Sequence, residues 1–244
     1  MGNKWHEIWE KRKADEAELC CGDSQRVFLE LKRIAGWDAT GDMLAFEQFY
    51  SQYVETKNEL EFCAAKQKRE IMSIYEVGCG CGANLYLFQK DGIEVGGIDF
   101  SSAEIEIARK VLNDPKELVC AEAVLTSSEI KYDAVLSNSV FSYFEGYEYA
   151  KKVLEIMYSK TNYSIGLVDI HDADKKEAFT EYRKSIIVDY EERYKELPKF
   201  FYDKKFFLEF ADQHDMSIRF SKPRMRNYWN NDFVFNCFMI KNTV

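Results

Sequence analysis

The stretch Ile74-Tyr-Glu-Val-Gly-Cys-Gly-Cys-Gly-Ala-Asn84 confines this chain to a narrow set of folds. The apolar run over 71–77, rich in β-branched and aromatic residues, has the length and composition of a buried strand. It gives way to glycines at alternate positions, then to a helical pattern through Leu85, Leu87 and Phe88. Glycine has no Cβ, so such a turn admits positive φ and lets a ligand lie against the backbone, while the helix N-terminus offers unpaired N–H groups. A second strand over 93–98 ends at Asp99, about twenty residues on, where a carboxylate can accept both hydroxyls of a ribose. Together these segments form a βαβ half suited to adenosine.

Two cofactors compete for this unit. Gly78, Gly80 and Ala83 satisfy the G-x-G-x-x-G/A pattern of dinucleotide enzymes, which keeps an NAD-dependent oxidoreductase open. Glu76 with Gly78, Gly80 and Gly82 satisfies E-x-G-x-G-x-G, and on those residues the chain resembles the class I S-adenosylmethionine-dependent methyltransferases. Val119-Cys-Ala-Glu-Ala123 and Tyr132-Asp-Ala-Val-Leu-Ser-Asn-Ser-Val-Phe-Ser-Tyr-Phe144 extend the resemblance, which covers 71–170 closely and the remainder loosely. It implies an α/β fold: a Rossmann-like, seven-stranded, mostly parallel sheet flanked by helices. It also implies S-adenosylmethionine as cofactor. Glu76, Gly78, Gly80, Gly82, Asn84, Asp99 and Phe100 would then hold the methionine and ribose ends. Glu122 and Ala123 would meet the adenine, Asn138 and Ser139 would floor the methyl site, and Phe141 and Tyr143 would shape the acceptor cavity.

A formal charge of −9 argues against a nucleic-acid partner, because polyanion binding rests on clustered Lys and Arg. Ser137-Asn-Ser-Val140 is also unlike the Asn-Pro-Pro-aromatic loop with which amino-methylating DNA enzymes of the superfamily stack a flipped base. No apolar run approaches the roughly 18 residues of a membrane helix. Met1-Gly-Asn-Lys-Trp-His-Glu7 has no apolar leader core, and His6 stands where a myristoylation signal wants Ser or Thr. The seven cysteines show no zinc-type spacing, so reduced thiols and a cytoplasmic setting are expected. Small molecules are the favoured acceptors, and a homodimer is an open expectation.

The first 70 residues carry helix-spaced apolar positions, Phe28, Leu31 and Ile34, then Phe46, Phe49, Tyr50 and Tyr53, without strand alternation. They read as an N-terminal helical cap (1–70) before the cofactor-binding core (71–244), with Trp5, Trp9 and Trp37 as lid candidates. The span 172–203 is longer than a strand-to-helix connection needs. As an insertion at the carboxyl edge of the sheet it would cover the ligand crevice, with Tyr182 and Arg183 as candidate substrate contacts. Arg224 and Arg226, on a polar-aromatic loop, could hold a phosphate or carboxylate.

Methyl transfer asks a protein for alignment, desolvation and, for a hydroxyl acceptor, a base. The candidate is His171, with Asp169 beside it at the carboxyl end of the fifth strand, since an unperturbed imidazole titrates near neutrality. Asp169, Asp172 and Asp174 raise a divalent metal, but a helix start favours Asp anyway, and no metal is assigned. His6 and His214 read as surface or capping residues. The expectation is methyl transfer to a hydroxyl of a sugar or nucleotide-linked metabolite. N-methylation of a small amine or protein, or a non-catalytic cofactor-binding subunit, are the alternatives.

Overall fold

The computed structural model describes residues 4–37, 44–66 and 68–242. Part of the expectation about the N-terminal segment falls on residues 1–3, 38–43 and 67, outside the described residues. A seven-stranded sheet in the order β3-β2-β1-β4-β5-β7-β6 organises the chain. Its strands are β1 (Ser73–Val77), β2 (Glu94–Asp99), β3 (Glu117–Cys120), β4 (Tyr132–Asn138), β5 (Thr161–His171), β6 (Met216–Ser221) and β7 (Val234–Lys241). The first five run parallel, and β7 is antiparallel to both β5 and β6. The carboxyl ends of β1, β2, β4 and β5 therefore meet along one edge, where the chain order reverses between β1 and β4 and a ligand crevice opens.

Helices α1 (Lys4–Trp9), α2 (Glu16–Leu19), α3 (Ser24–Lys32) and α4 (Phe46–Ala65) precede the sheet. The Asp23 carboxylate caps α3 by accepting from the backbone N–H groups of Gln25 and Arg26. The predicted stripe Phe28, Leu31 and Ile34 is fully buried, in one apolar cluster with Phe49, Leu60, Ile74, Leu85 and Leu136. These helices are thus a layer on the same core as the sheet. Helices α5 (Ala83–Lys90), α6 (Ser102–Val111), α7 (Tyr147–Lys160) and α10 (Lys204–Gln213) flank the strands, and α8 (Lys176–Ile186) with α9 (Tyr190–Tyr194) forms the insertion. No helix among the described residues is long and apolar enough to cross a membrane.

One buried cation locks the far edge of the sheet. Lys160 is completely buried at the end of α7, lies 4.1 Å from the centroid of Tyr75 and 5.2 Å from that of Tyr132, and pairs with Glu117. Its ammonium donates to the carbonyls of Ser127 (2.6 Å) and Ile130 (3.1 Å). Removing such a group leaves carbonyls and a carboxylate without a partner. Lys160→Met is expected to cost about 3–5 kcal/mol in urea unfolding, whereas Lys205→Met, in an exposed pair with Glu209, is expected to cost under about 1 kcal/mol. Equal losses in the two variants would contradict this account of the edge.

Candidate active site

The glycine turn leaves β1 with Gly78 at φ +74°, and a Cβ there would lie 2.4 Å from a methyl of Val140. No other residue fits between the turn and the β4 loop. Asp99 at the end of β2 fixes the turn from the side: one oxygen accepts from the Gly80 N–H and the other from the Ser101 N–H, both at 2.9 Å. A carboxylate oxygen accepts more than one hydrogen bond, so each keeps capacity for a ribose hydroxyl.

This turn borders a cavity of about 410 Å³. Its ionisable lining is acidic: Glu76, Asp99, Glu104, Glu122 and Glu145 against Lys32 and His6. Lys32 is buried between the rings of Phe28, Trp37 and Phe49 and donates to Asn84 Oδ1 (3.1 Å), while Asn84 Nδ2 donates to Glu76 Oε1 (2.6 Å). Burial pulls the Lys32 ammonium down and pushes the Glu76 carboxyl up. Burial, reinforced by Asp99, pushes Glu104 up to about 8, and burial also raises Asp99. Glu76 Oε2 and Glu104 Oε1 are buried without a hydrogen-bond partner. A diphosphate would add negative charge to this surface, whereas a cationic ligand would relieve it.

At the opposite end Glu122 accepts from the Tyr149 hydroxyl (3.1 Å) and lies 3.4 Å from His6 Nε2. His6 stacks on Phe100, centroids 3.9 Å apart, so it is part of this wall and not a plain surface residue. Helix α1 and the residue after it thereby span the cavity mouth: Glu10 accepts from Ser102 on one side, and Trp5 Nε1 donates to the Pro198 carbonyl (3.0 Å) on the other. All three lid candidates, Trp5, Trp9 and Trp37, line this cavity and a second one beside it.

The second cavity, about 530 Å³, opens at the ends of β4 and β5. Ser139 (φ +61°) and Asp169 (φ +63°) both hold left-handed backbone conformations, a strain that recurs at functional sites. Asp169 sits where the β5–β7 register shifts, its N–H donating to Asn236 Oδ1 (3.1 Å). Its Oδ2 accepts from Ser139 Oγ (2.7 Å) and the Tyr228 hydroxyl (2.8 Å), and its Oδ1 is buried without a partner. Burial raises the Asp169 pKa, and burial together with Asp169 keeps Tyr228 protonated.

His171 follows two residues on, stacked on Phe201 and packed against Phe179. Burial, then Lys199 and Arg183, holds its pKa well below the ordinary value, away from the near-neutral titration expected from sequence. A hydrogen-bond chain reaches its ring: Tyr228 donates to Asp169 and accepts from Asn230 Nδ2 (3.2 Å), which also lies 3.4 Å from His171 Nε2. His171 Nδ1 is buried without a partner.

Of the residues expected from sequence, Glu76, Gly78, Gly80, Asn84, Asp99, Phe100, Glu122, Ala123, Asn138 and Ser139 line the first cavity. Asp169, His171 and Arg183 line the second, and Ser139 and Tyr143 line both. The others fall elsewhere. Gly82 lies outside both linings and serves packing, since a Cβ there would press on Leu112 and Ala108 within 3.3 Å. Phe141 is a core residue, buried against Phe144, Tyr202 and Phe207. Tyr182 stacks on Trp229 outside the cavity. Arg224 and Arg226 are exposed, because alternation on their loop turns Met225 inward instead. No group of His, Cys, Asp and Glu suited to a metal occurs among the described residues.

Sequence reasoning missed Lys32, Glu104, Tyr228 and Asn230. Lys32 had a signal, standing four residues after Phe28 on the buried stripe. Glu104 follows Ser101 at capping-box spacing, which conceals any other role.

Residues 75–162 match the model of the methyltransferase domain family. The chain is 36% identical over 76 residues to a malonyl-[acyl-carrier protein] O-methyltransferase of Priestia megaterium (strain DSM 319 / IMG 1521), covering 30% of this chain and 28% of that protein. It is 30% identical over 119 residues to an uncharacterized protein of Rickettsia prowazekii (strain Madrid E), covering 46% and 47%. The chain thus spans less than half the length of these curated relatives. Among solved structures, the plantazolicin methyltransferase BpumL in complex with a pentazolic desmethylPZN analog and SAH superposes with a TM-score of 0.61 at 20% identity, covering 99% of this chain and 100% of that one. Magnesium protoporphyrin IX methyltransferase (ChlM) from Synechocystis PCC 6803 with bound SAM gives 0.57 at 13% identity, covering 90% and 98%. The fold is that of the class I S-adenosylmethionine-dependent methyltransferases. Within it, the segment from β1 to the start of β5 is the part similar to the methyltransferase domain model.

The buried acids have a consequence for stability. A carboxyl whose pKa is raised on folding binds more protons folded than unfolded, so stability falls as pH rises from about 4.5 to about 8. Glu104→Gln removes that loss. The variant is expected to match the wild type near pH 4.5 and to exceed it by on the order of 2 kcal/mol at pH 8 in ligand-free urea unfolding. A constant difference across that range would show that Glu104 is not held protonated.

Proposed function

We propose that the protein is an S-adenosylmethionine-dependent methyltransferase. The cofactor would occupy the first cavity, and a small-molecule acceptor, methylated on a hydroxyl oxygen, the second. The observation that carries this reading is the acidic first cavity, which suits a ligand bearing a sulfonium and an ammonium and disfavours the diphosphate of NAD. Bound there, S-adenosylmethionine supplies an electrophilic methyl group. Asp99 would take the ribose hydroxyls, Glu122 the adenine amine, and the Lys32–Asn84–Glu76 chain the amino-acid end, where both charge signs find partners. Helix α1 and the other described residues of the N-terminal segment, 10–37 and 44–66, act as the cap that excludes water from both cavities.

Trp5, Trp9, Trp37, Ser139 and Tyr143 border both cavities and mark where the two ligands meet. A hydroxyl attacking across that boundary gives its proton to Asp169, whose raised pKa makes it a stronger base than an exposed aspartate. His171, beside Asp169 on the cavity wall, orients the acceptor through its ring. The aromatic walls suit the flat face of a sugar or conjugated ring, and a nucleotide-linked sugar is within this class. The volume is in the usual range for small-molecule sites, roughly 300–1,000 Å³.

Calorimetric titration with S-adenosylhomocysteine and, separately, NAD tests the cofactor. S-adenosylhomocysteine is expected to bind and NAD to stay silent, with Asp99→Ala weakening the former by about 10- to 100-fold. NAD binding alone would return the glycine turn to the dehydrogenases. With an acceptor in hand, Asp169→Asn is expected to lower kcat by about 10²–10⁴-fold at unchanged cofactor affinity. In the wild type, kcat/KM should rise with pH through an ionisation above the ordinary aspartate range, because the base must be charged to act. Wild-type kcat in Asp169→Asn would remove that residue from the chemistry.

A further inference from the structure

The charge of the second cavity runs opposite to that of the first and of the chain as a whole. Its cations are Arg12, Lys176, Arg183, Lys195 and Lys199. Its acids are Asp169, engaged by Ser139 and Tyr228, and Glu191, paired with Lys184. Two of the cations are integral to the walls. Arg183 is 8% exposed, its guanidinium lying 5.0 Å from the ring centroids of Trp229 and Tyr194 and 5.8 Å from that of Tyr190. Its Nε is buried with no hydrogen-bond acceptor. Lys199 stands 3.8 Å from the ring centroid of Tyr143 and 5.2 Å from that of Trp5, and donates to Ser142 Oγ at 3.3 Å.

Aromatic faces hold a cation by its charge but accept almost none of its hydrogen bonds. Among the described residues no carboxylate pairs with either Arg183 or Lys199. Both are close enough to His171 to depress its pKa. The positive charge therefore extends to the floor of the cavity where the acceptor reacts, beyond its rim. Fixed on three rings and hydrogen-bonded to the Tyr190 side chain, the Arg183 guanidinium lines the cavity as a cation without a carboxylate, the kind of group that attracts an anionic oxygen.

We propose that the acceptor of this cavity is an anion: a molecule with a flat, ring-bearing body and a carboxylate or phosphate group that Arg183 and Lys199 hold. This deepens the reading of the second cavity as the acceptor site and rests on it. Arg183 is positioned by α8, so the insertion supplies the group that selects for charge. Phe179, one turn before it, and Trp229 offer the apolar surface for the ring.

The test uses protein saturated with S-adenosylhomocysteine, titrated at fixed ionic strength with benzoate and phenyl phosphate, and with benzyl alcohol as the neutral counterpart. At least one anion is expected to bind about ten-fold or more tightly than benzyl alcohol, and which anion does so separates carboxylate from phosphate. Arg183→Met and, separately, Lys199→Met are each expected to reduce that preference to about three-fold or less while leaving S-adenosylhomocysteine affinity unchanged. Benzyl alcohol binding as well as the anions would overturn the proposal. So would the absence of anion binding, or full preference in both variants. The wild-type comparison stands even if Arg183→Met fails to fold. Failure of S-adenosylhomocysteine to bind is a separate outcome that strikes the cofactor reading, and the anion preference is then measured on the ligand-free protein.

Discussion

Carboxylates buried with too few cations set the electrostatics of the first cavity. Taking a carboxylate out of water disfavours its charged form, and here burial raises Glu76, Asp99 and Glu104 together, with Lys32 the one buried cation among them. Such an arrangement lowers the stability of the empty protein and is tolerated where a ligand offsets the cost. A sulfonium-bearing cofactor does so by favouring the ionised carboxyls beside it, whereas the diphosphate of a dinucleotide would disfavour their ionisation further. The glycine pattern fits either ligand, so the choice between them is electrostatic.

The same sheet edge generates both cavities with opposite polarity. Parallel β1, β2, β4 and β5 deliver Glu76, Asp99, Asn138 and Asp169 to one line, and the strained backbones at Ser139 and Asp169 turn the end of that line into a second cavity. Residues from three remote segments then wall it. Helix α1 brings Trp5 and Trp9, the insertion brings Arg183 and Lys199, and the loop before β7 brings Tyr228 and Asn230. Because α1 is tied to Ser102 and Glu122 on one side and to Pro198 on the other, movement of that helix would open both cavities at once.

What the sequence revealed was what is local. The glycine turn, Asp99 and the strand positions of Asn138 and Ser139 are set by neighbours in the chain, and the structure places them where the spacing predicts. The insertion was legible as surplus length, and Arg183 as a residue within it. Tyr228, Asn230 and Lys199 were not, because only tertiary packing brings them to β5. Arg224 and Arg226 misled for a related reason: charge on a loop is visible in sequence, but the burial of Met225 that turns the arginines outward is not. His171 shows the limit for chemistry. Its position at the strand end was readable, whereas its protonation state depends on Phe179, Phe201, Arg183 and Lys199, all from the insertion.

The measurement that tests the central claim most directly is a crystal structure of the complex with S-adenosylhomocysteine. The ribose hydroxyls are expected on Asp99, the adenine beside Glu122 and Ala123, and the sulfur facing Ser139 and Tyr143, open towards Asp169. A ligand whose sulfur faces away from the second cavity, or whose adenosine lies outside the acidic one, would contradict it.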